Sequence, residues 1–314
     1  MLRQEIDTDL GRVTNLSTLS NQGGNSELYL GDLGSTQVIY KQSNREDAEK
    51  RATQEFENLK NISLYCSSYV PTPICLSSNK LGIIMTYVKG VSPKILTEEV
   101  STAMIIFLGK LRDLGAISES QNLFKDATDS VIWDGFGIDQ LKRRLKIIVS
   151  LIEPRDLILL KPIREAITRY EDYCYQLQFR EKSRIVLSPS DFGIHNMLWE
   201  DSEVPKFRFV DFEYLGWDRP EKLVSDTLLH PRNLWDSGVS RRFLNDAIDL
   251  YSLNLEYLQT LLNFSRLNWT LIGLRRSLEK GTISSDVFNL AQLLENFPIT
   301  NVQSVESTLQ GMGL

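Results

Sequence analysis

The chain has 314 residues and a net charge of −6, with 42% hydrophobic and 24% charged residues, which is typical of a globular protein with one large core or two modest ones. The acidic balance leaves no electrostatic footprint for nucleic-acid binding, and no apolar run suits a membrane span or a signal peptide. Three cysteines without metal-site spacing argue against a disulfide framework, so we expect a cytoplasmic location.

The first ninety residues are rich in short β-like segments. Strand-forming runs at 13–20, 27–31 and 37–42 are separated by turns of Gly, Asn and Asp, which predicts a small sheet. The first turn contains Gly23 and Gly24, and the exposed backbone N–H groups of such a loop can close over phosphates. The same residues also suit an ordinary hairpin turn, so both interpretations stay open.

A helix is predicted over about residues 45–61, because apolar residues recur there at helical spacing: Ala48, Ala52, Phe56 and Leu59. Glu55 falls on or beside this apolar stripe. A carboxylate that points toward a core is costly unless a cation meets it, so we expect a cation beside Glu55. A Pro-containing connector at 69–73 then leads to a predicted hairpin, whose second strand covers 81–88.

From residue 92 onward the pattern becomes helical. A long apolar stripe ends at Gly115, and further helices are predicted at 138–152, 162–180, 241–264, 266–280 and 285–297. The order of elements predicts an α+β architecture with a small β-rich lobe at 1–88 and a larger, mainly helical lobe at 89–314.

Two short apolar strands in the second half of the chain each end in an acid. Asp191 follows the run at 184–187, Asn196 lies five residues after it, and Asp211 follows the run at 207–210. Two carboxylates and an amide about one hairpin apart provide oxygen ligands for a hard cation such as Mg²⁺, and they leave one carboxylate to accept a proton from a hydroxyl. These are the parts of a phosphoryl-transfer site.

With these residues the chain resembles the aminoglycoside phosphotransferase and choline kinase-like family, small-molecule kinases that share the protein-kinase fold. The signature of that family is a catalytic Asp, an Asn five residues on, and then a strand that ends in an apolar-Asp-Phe metal motif, here Val210-Asp211-Phe212. The Asp-Phe-Gly at 191–193 is not the metal motif, because Asn196 follows it at catalytic-loop spacing. The resemblance implies a bilobal protein-kinase-like fold, with Asp191 as catalytic base and Asn196 and Asp211 as Mg²⁺ ligands.

The resemblance also assigns nucleotide contacts to the N-terminal lobe. Lys41, at the end of the third strand, is expected to pair with Glu55 and to hold the nucleotide phosphates, which Gly23 and Gly24 would cover. The alternatives are that Lys41 and Glu55 are two surface charges, or that Glu57 takes the place of Glu55.

The strand at 81–88 would run into the hinge between the lobes. Met85, Tyr87 and Val88 are expected to meet the adenine edge there, although Met85 by itself suits a core position equally. The nucleotide implied by the resemblance is ATP, and GTP is left open.

Two features of the motif depart from the family or add to it. Pro189 stands where the family commonly has a His two residues before the catalytic Asp, and His195 inside the motif is expected to shape the loop. Glu213 would assist the metal, face the substrate or only form a surface ion pair.

Two histidines without a Gly-x-Ser-x-Gly elbow do not suit a Ser-His-Asp hydrolase or a zinc site.

The sequence therefore predicts an ATP- and Mg²⁺-dependent phosphotransferase that moves the γ-phosphate to a hydroxyl of a sugar, amino sugar or amino alcohol. The alternative is a catalytically silent relative that binds nucleotide or acts as an interaction module, which Pro189 and the irregular glycine loop favour. A protein kinase fits less well, because no Ala-Pro-Glu-like anchor follows Asp211.

Three residues of the C-terminal helices are candidates for the acceptor pocket: Trp269, Arg275 and Arg276. The alternative is that Trp269 belongs to the core and the two arginines to the surface.

Overall fold

The computed structural model describes residues 5–19, 26–132, 136–177, 184–200 and 206–281. These residues divide into two compact units. The first unit takes the described residues of Met1–Lys94, Ile106–Thr128 and Gly193–Gly216, and the second takes those of Ile95–Ile105, Asp129–Phe192 and Trp217–Leu314. Each unit is thus built from three separate segments of the chain.

The regular elements of the described residues are strands, α-helices and three short 3-10 helices. The strands are β1 (Ile6–Thr8), β2 (Gly11–Thr18), β3 (Ser26–Leu33), β4 (Thr36–Ser43), β5 (Pro73–Leu76), β6 (Gly82–Thr86), β7 (Val186–Ser188), β8 (Met197–Glu200), β9 (Lys206–Phe209) and β10 (Gly216–Asp218). The helices are α1 (Ala48–Cys66), α2 (Glu98–Gly115), α3 (Ile138–Leu151), α4 (Lys161–Gln176), α5 (Pro220–Leu228), α6 (Val239–Tyr251) and α7 (Leu255–Glu279). The 3-10 helices are Ser118–Asn122, Pro154–Leu160 and Ile194–Asn196.

The first unit is built on a six-stranded antiparallel sheet in the order β1-β2-β3-β4-β6-β5. Successive side chains of a strand point to opposite faces, so Val38 and Tyr40 of β4 enter the core of one face together with Ile84 of β6. Lys41 therefore lies on the other face, against which α1 packs. The β-rich N-terminal sheet predicted from the strand pattern is present.

Helix α1 buries a stripe of side chains at helical spacing: Ala48, Ala52, Glu55, Leu59, Ile62 and Cys66. Of the predicted apolar stripe, Ala48, Ala52 and Leu59 are buried, whereas Phe56 is only half-buried. Glu55 lies in the buried stripe, and Glu57 is exposed on the opposite side of the helix. The helix begins at Ala48 and not at the predicted residue 45. It ends later than the predicted residue 61, because Ile62 and Cys66 extend the same buried stripe by another turn.

The β8–β9 hairpin also belongs to the first unit. Its register pairs Met197 with Phe209, and the Phe209 ring stacks on Phe107 of α2 with a centroid separation of 4.2 Å. The hairpin is held to the rest of the unit by the Phe209 N–H, which donates to the Tyr69 carbonyl at 2.7 Å. Because Asn196 precedes β8 and Asp211 follows β9, this packing determines where both residues lie.

The second unit is mainly helical. Helices α3, α4 and α7 share one core, which is centred on large buried side chains such as Tyr170, Phe264 and Leu267. Helix α5 packs against α6 and α7, and the two-stranded sheet of β7 and β10 lies before it in the chain. No helix among the described residues has both the length and the apolar character that a membrane crossing requires.

The helix boundary predicted near residue 265 is wrong. The break lies at 252–254, where Ser252 adopts a left-handed conformation (φ 52°) and Asn254 caps α7 by accepting hydrogen bonds from the N–H groups of Glu256 and Tyr257. Residues 257–265 are all buried, so this part of α7 has no solvent-exposed face whose polar residues would mark it as a surface helix. The helix predicted at 285–297 lies outside the described residues.

A buried charge cluster connects the elements of the second unit. Lys222 of α5 contacts Asp226 at 2.7 Å and Asp218 at 3.3 Å, while Ser265 of α7 donates to Asp226 at 2.6 Å. Asp218 also accepts the Val131 N–H at 3.1 Å. Burial alone would lower the pKa of Lys222, but the two carboxylates outweigh it and raise that pKa above its ordinary value. Asp218 and Asp226 therefore hold elements of the second unit together.

Candidate active site

Lys41 joins two acids inside the first unit. Its ammonium group donates to both carboxylate oxygens of Glu55 at 2.8 Å and to Oδ1 of Asp211 at 2.7 Å. Lys41 and Glu55 are only 8% and 4% exposed, so the pair is not a surface ion pair. The chain brings these three residues together from the end of β4, the middle of α1 and the segment after β9.

The electrostatics of this cluster follow from an excess of carboxylates. Burial disfavours the charged ammonium, but Asp211 and Glu55 outweigh that effect, so the pKa of Lys41 is raised above its ordinary value. Burial raises the pKa of the Glu55 carboxyl to about 7, although Lys41 opposes the change. The carboxylates of Glu55, Asp211 and Glu213 each offer an oxygen within 4.8 Å of the others. Lys41 and Arg51 together meet these three acids, so one negative charge remains in excess and favours a further cation.

The residues Asn196 and Asp211 are linked through the backbone. The N–H of Val210 donates to the carbonyl of Asn196 at 2.9 Å, and Asn196 is buried in the short 3-10 helix before β8. Asp211 itself has a φ of 69°, a conformation that a residue other than Gly adopts at a cost of about 1–3 kcal/mol. Such a conformation persists where the surroundings determine it, and it turns the carboxylate of Asp211 toward Lys41. Oxygen donors of this kind suit Mg²⁺ or Ca²⁺.

Helix α1 holds the segment after β9 with two side chains of one face, Arg51 and Asn58. Asn58 donates to the carbonyls of Phe212 and Leu215 at 2.9 Å and 3.1 Å. Arg51 lies 3.5 Å from the Glu213 carboxylate and donates to the Tyr214 hydroxyl at 3.1 Å. These contacts connect the Lys41–Glu55 pair with the conformation of the Asp211 segment.

Arg51 and Asn58 were not among the residues predicted from the sequence. A signal for Asn58 exists, because it is a polar residue that lies next to Leu59 on the buried stripe of α1 and so needs hydrogen-bond partners. Glu213 is buried beside Arg51 and Tyr214, which excludes the interpretation of Glu213 as an exposed ion pair. Burial raises the pKa of Tyr214 to about 12, with Glu213 adding to the effect.

Two side chains of the predicted hinge strand, Ile83 and Met85, lie on the same face of the sheet as Lys41. In the β4–β6 ladder Lys41 is opposite Ile83 and Ile39 is opposite Met85, and directly opposed residues share a face. Met85 is buried, while Tyr87 and Val88 follow the end of β6, and the Tyr87 N–H donates to the Gln37 carbonyl at 3.2 Å.

A small pocket lies beside the Lys41 cluster. Besides Lys41, its walls include Ser26 and Ser43, at the ends of the β3–β4 pair, with Ile83 and Glu213. The turn predicted to cover phosphates, with Gly23 and Gly24, lies outside the described residues.

Asp191 belongs to the second unit. The preceding Ser190 has a φ of 63°, and the Asp191 N–H donates across it to the Pro189 carbonyl at 2.8 Å. Oδ1 of Asp191 lies 2.9 Å from Nε2 of His230, and the Asp191 side chain is 31% exposed. Nothing in the local pattern pointed to His230, which lies 39 residues further along the chain.

The remaining predicted residues lie in the 3-10 helix before β8 and in α7. His195 lies in the 3-10 helix before β8, where its carbonyl accepts a hydrogen bond from Ser92 at 3.3 Å. In α7, Trp269 meets the edge of the His230 ring at a centroid distance of 4.7 Å, whereas Arg275 forms an ion pair with Glu279.

No protein-family model and no curated protein sequence matches the chain. Among solved structures, a Plasmodium vivax ethanolamine kinase is 17% identical with a TM-score of 0.54, over 88% of this chain and 79% of that one. The ADP-bound aminoglycoside phosphotransferase APH(2'')-Ib is 18% identical with a TM-score of 0.59, over 90% and 94% of the two chains. A choline kinase from Cryptosporidium parvum is 13% identical with a TM-score of 0.60, over 95% and 90%.

Each of these similarities extends over most of both chains at low identity, and so describes the fold rather than the activity. A β-rich N-terminal sheet followed by a helical C-terminal part is what the sequence resemblance implied, and that expectation is confirmed. The chain has the protein-kinase-like fold of the ethanolamine, choline and aminoglycoside kinases.

Proposed function

We propose that this protein is a phosphotransferase that uses ATP and Mg²⁺ and moves the γ-phosphate to a hydroxyl group of a small molecule. The observation that carries the proposal is the buried ammonium of Lys41, which contacts Glu55 of α1 and Asp211 after β9 at 2.7–2.8 Å. Kinases of this fold need a strand Lys paired with a helix Glu, together with a metal-binding Asp, to hold the nucleotide. The fold shared with solved small-molecule kinases adds support.

In this proposal the residues of the chain divide the work of phosphoryl transfer. Lys41 neutralises the nucleotide phosphates, and Asn196 and Asp211 hold Mg²⁺, with Glu213 beside them. When bound, Mg²⁺ supplies positive charge to the phosphate oxygens. Asp191 orients the acceptor hydroxyl and takes its proton as the new O–P bond forms and ADP departs.

The nucleotide would lie on the sheet face of the N-terminal lobe. We propose residues 1–88 as the nucleotide-binding lobe and 89–314 as the lobe with the catalytic and metal loops. Met85, Tyr87 and Val88 would meet the adenine edge, and the glycine turn before β3 would cover the phosphates. The cysteines form no disulfide, which suits the proposed cytoplasmic location.

The acceptor is proposed only as a class. The names of the similar structures point to amino alcohols such as ethanolamine and choline and to aminoglycosides, so these and simple sugars are the acceptors to test first. GTP is to be compared with ATP in the same assay.

The first test is nucleotide binding by calorimetry, with and without Mg²⁺, on the wild-type protein and on Asp211→Asn. We expect Mg²⁺-dependent ATP binding that is at least about tenfold weaker in the variant, since one charged metal ligand is lost. Asp7→Asn is the matched control, because Asp7 lies in a surface ion pair with Arg12 and should bind ATP as the wild type does. Absence of binding at millimolar ATP would contradict the proposal.

A silent nucleotide-binding module is the second candidate, and Pro189 in place of the expected His is the observation that favours it. The two candidates differ in transfer of labelled phosphate from ATP to the acceptor panel. We expect transfer by the wild type and its loss, by about 10³-fold or more, in Asp191→Asn with nucleotide binding retained. ATP binding without any transfer across the panel would favour the silent module.

A further inference from the structure

Pro189 has no side chain that can donate a hydrogen bond to Asp191. His230 lies in the connection between α5 and α6, and its Nε2 is 2.9 Å from Oδ1 of Asp191. The chain thus brings an imidazole to Asp191 from a distant segment of the second unit. The chemistry of this contact depends on which ring nitrogen carries the proton.

The second ring nitrogen determines the tautomer of His230. The backbone N–H of Arg232 donates to Nδ1 of His230 at 3.1 Å, and a backbone N–H can only donate. Nδ1 therefore presents its lone pair, and the neutral ring carries its hydrogen on Nε2. The contact with Asp191 is then a hydrogen bond that His230 donates to the carboxylate.

His230 is also held in place by its surroundings. The side chain is 5% exposed, and the edge of the Trp269 ring packs against it at an interplanar angle of 72°. Asn233, in the same turn, donates to the carbonyl of Thr227 at 2.7 Å and to that of Phe192 at 3.4 Å. The turn at 230–233 therefore contacts both the side chain of Asp191 and the backbone carbonyl of the residue after it, Phe192.

We infer that His230 is a positioning residue, a neutral hydrogen-bond donor that orients the Asp191 carboxylate toward the acceptor hydroxyl. The effect of His230 on phosphate transfer rests on the proposed function, whereas the hydrogen bond between His230 and Asp191 does not. The Asp191 side chain remains 31% exposed, so the bond leaves carboxylate surface for an acceptor. A carboxylate that has lost its orienting donor remains present but misplaced, which lowers the rate of transfer rather than nucleotide affinity.

The hydrogen bond can be tested without any activity. The chain has two histidines, so ¹⁵N-labelled imidazoles give two sets of NMR signals, and the spectrum of His230→Gln assigns them. We expect His230 as the neutral Nε2–H tautomer, with an Nε2–H proton that is observable in the wild type and lost to exchange in Asp191→Ala. A ring with its hydrogen on Nδ1, or a doubly protonated ring at pH 7, would overturn the inference.

The positioning role is tested by two variants that differ in their donor. His230→Phe keeps a ring against Trp269 and removes the donor, and we expect kcat to fall about 10- to 100-fold with the KM for ATP unchanged. His230→Gln keeps a donor at a similar reach and should return kcat to within about fivefold of the wild type. Thermal unfolding of both variants reports on folding.

These outcomes separate the inference from the proposed function. Loss of transfer in Asp191→Asn together with a wild-type kcat in His230→Phe would overturn the inference and leave the function standing. Equal losses of kcat in His230→Phe and His230→Gln would also contradict a donor role. If the wild type transfers no phosphate, the proposed function fails, and a wild type without the Nε2–H signal overturns the hydrogen bond as well.

Discussion

Lys41 is one positive charge among several carboxylates, and most of its environment excludes water. Replacing it by Met leaves the buried Glu55 carboxylate without its cation, which in comparable buried pairs costs about 3–5 kcal/mol. We expect Lys41→Met to lose about 3 kcal/mol of unfolding free energy in urea titrations. Lys161→Met is the control, because Lys161 and Glu165 form an exposed pair at 3.8 Å that contributes at most about 0.5 kcal/mol.

A double variant identifies the cause of that loss. If the cost comes from the unpaired carboxylate, Lys41→Met combined with Glu55→Gln should be more stable than Lys41→Met alone by about 1 kcal/mol or more. A double variant that is as unstable as the sum of the two single variants would show that the two side chains do not interact energetically.

At the scale of elements, α1 and the segment after β9 behave as one assembly. Asn58 donates to two backbone carbonyls of that segment, so removing its side chain leaves two buried acceptors without this donor. We expect Asn58→Ala to cost about 2 kcal/mol of stability and to weaken Mg²⁺-dependent ATP binding, because the Asp211 segment is less well held. Denaturation and calorimetry measure the two effects.

Asn61→Ala is the matched control on the same helix. Asn61 donates to the Leu123 carbonyl at 3.1 Å, but this contact is exposed, so water can replace it. We expect a loss below about 0.5 kcal/mol and ATP binding like that of the wild type. Equal effects of the two variants on ATP binding would mean that Asn58 acts only through the stability of α1.

At the scale of the whole molecule, the proposed function links stability to ligand. A ligand that binds only the folded state at one hundred times its Kd stabilises it by about 2.7 kcal/mol. We expect Mg²⁺ and ATP together to raise the midpoint of thermal unfolding by several degrees, and we expect chelation of Mg²⁺ by EDTA to remove most of the rise. A rise of the same size with ATP and EDTA would indicate binding that does not use the metal site.

Local sequence patterns were enough to predict much of the fold of this protein. The strand-forming run at 37–42 and the helical spacing in α1 predicted the two elements that carry Lys41 and Glu55, and the fold class implied by the motifs is confirmed. These features are readable because side-chain periodicity is a property of a short segment. The misplaced boundary near residue 265 shows the limit, since α7 is buried on all sides over nine residues and its true start depends on the Asn254 cap.

The sequence by itself determined the α+β order of elements, the apolar stripe that includes Glu55, and the acids that end the strands before 191 and 211. Only the tertiary structure decided that Lys41 meets both Glu55 and Asp211, that Asn58 holds the segment after β9, and that His230 donates to Asp191. The physical reason is separation along the chain. Lys41 and Asp211 are 170 residues apart and Asp191 and His230 are 39 apart, and such contacts form only through the packing of the elements between them.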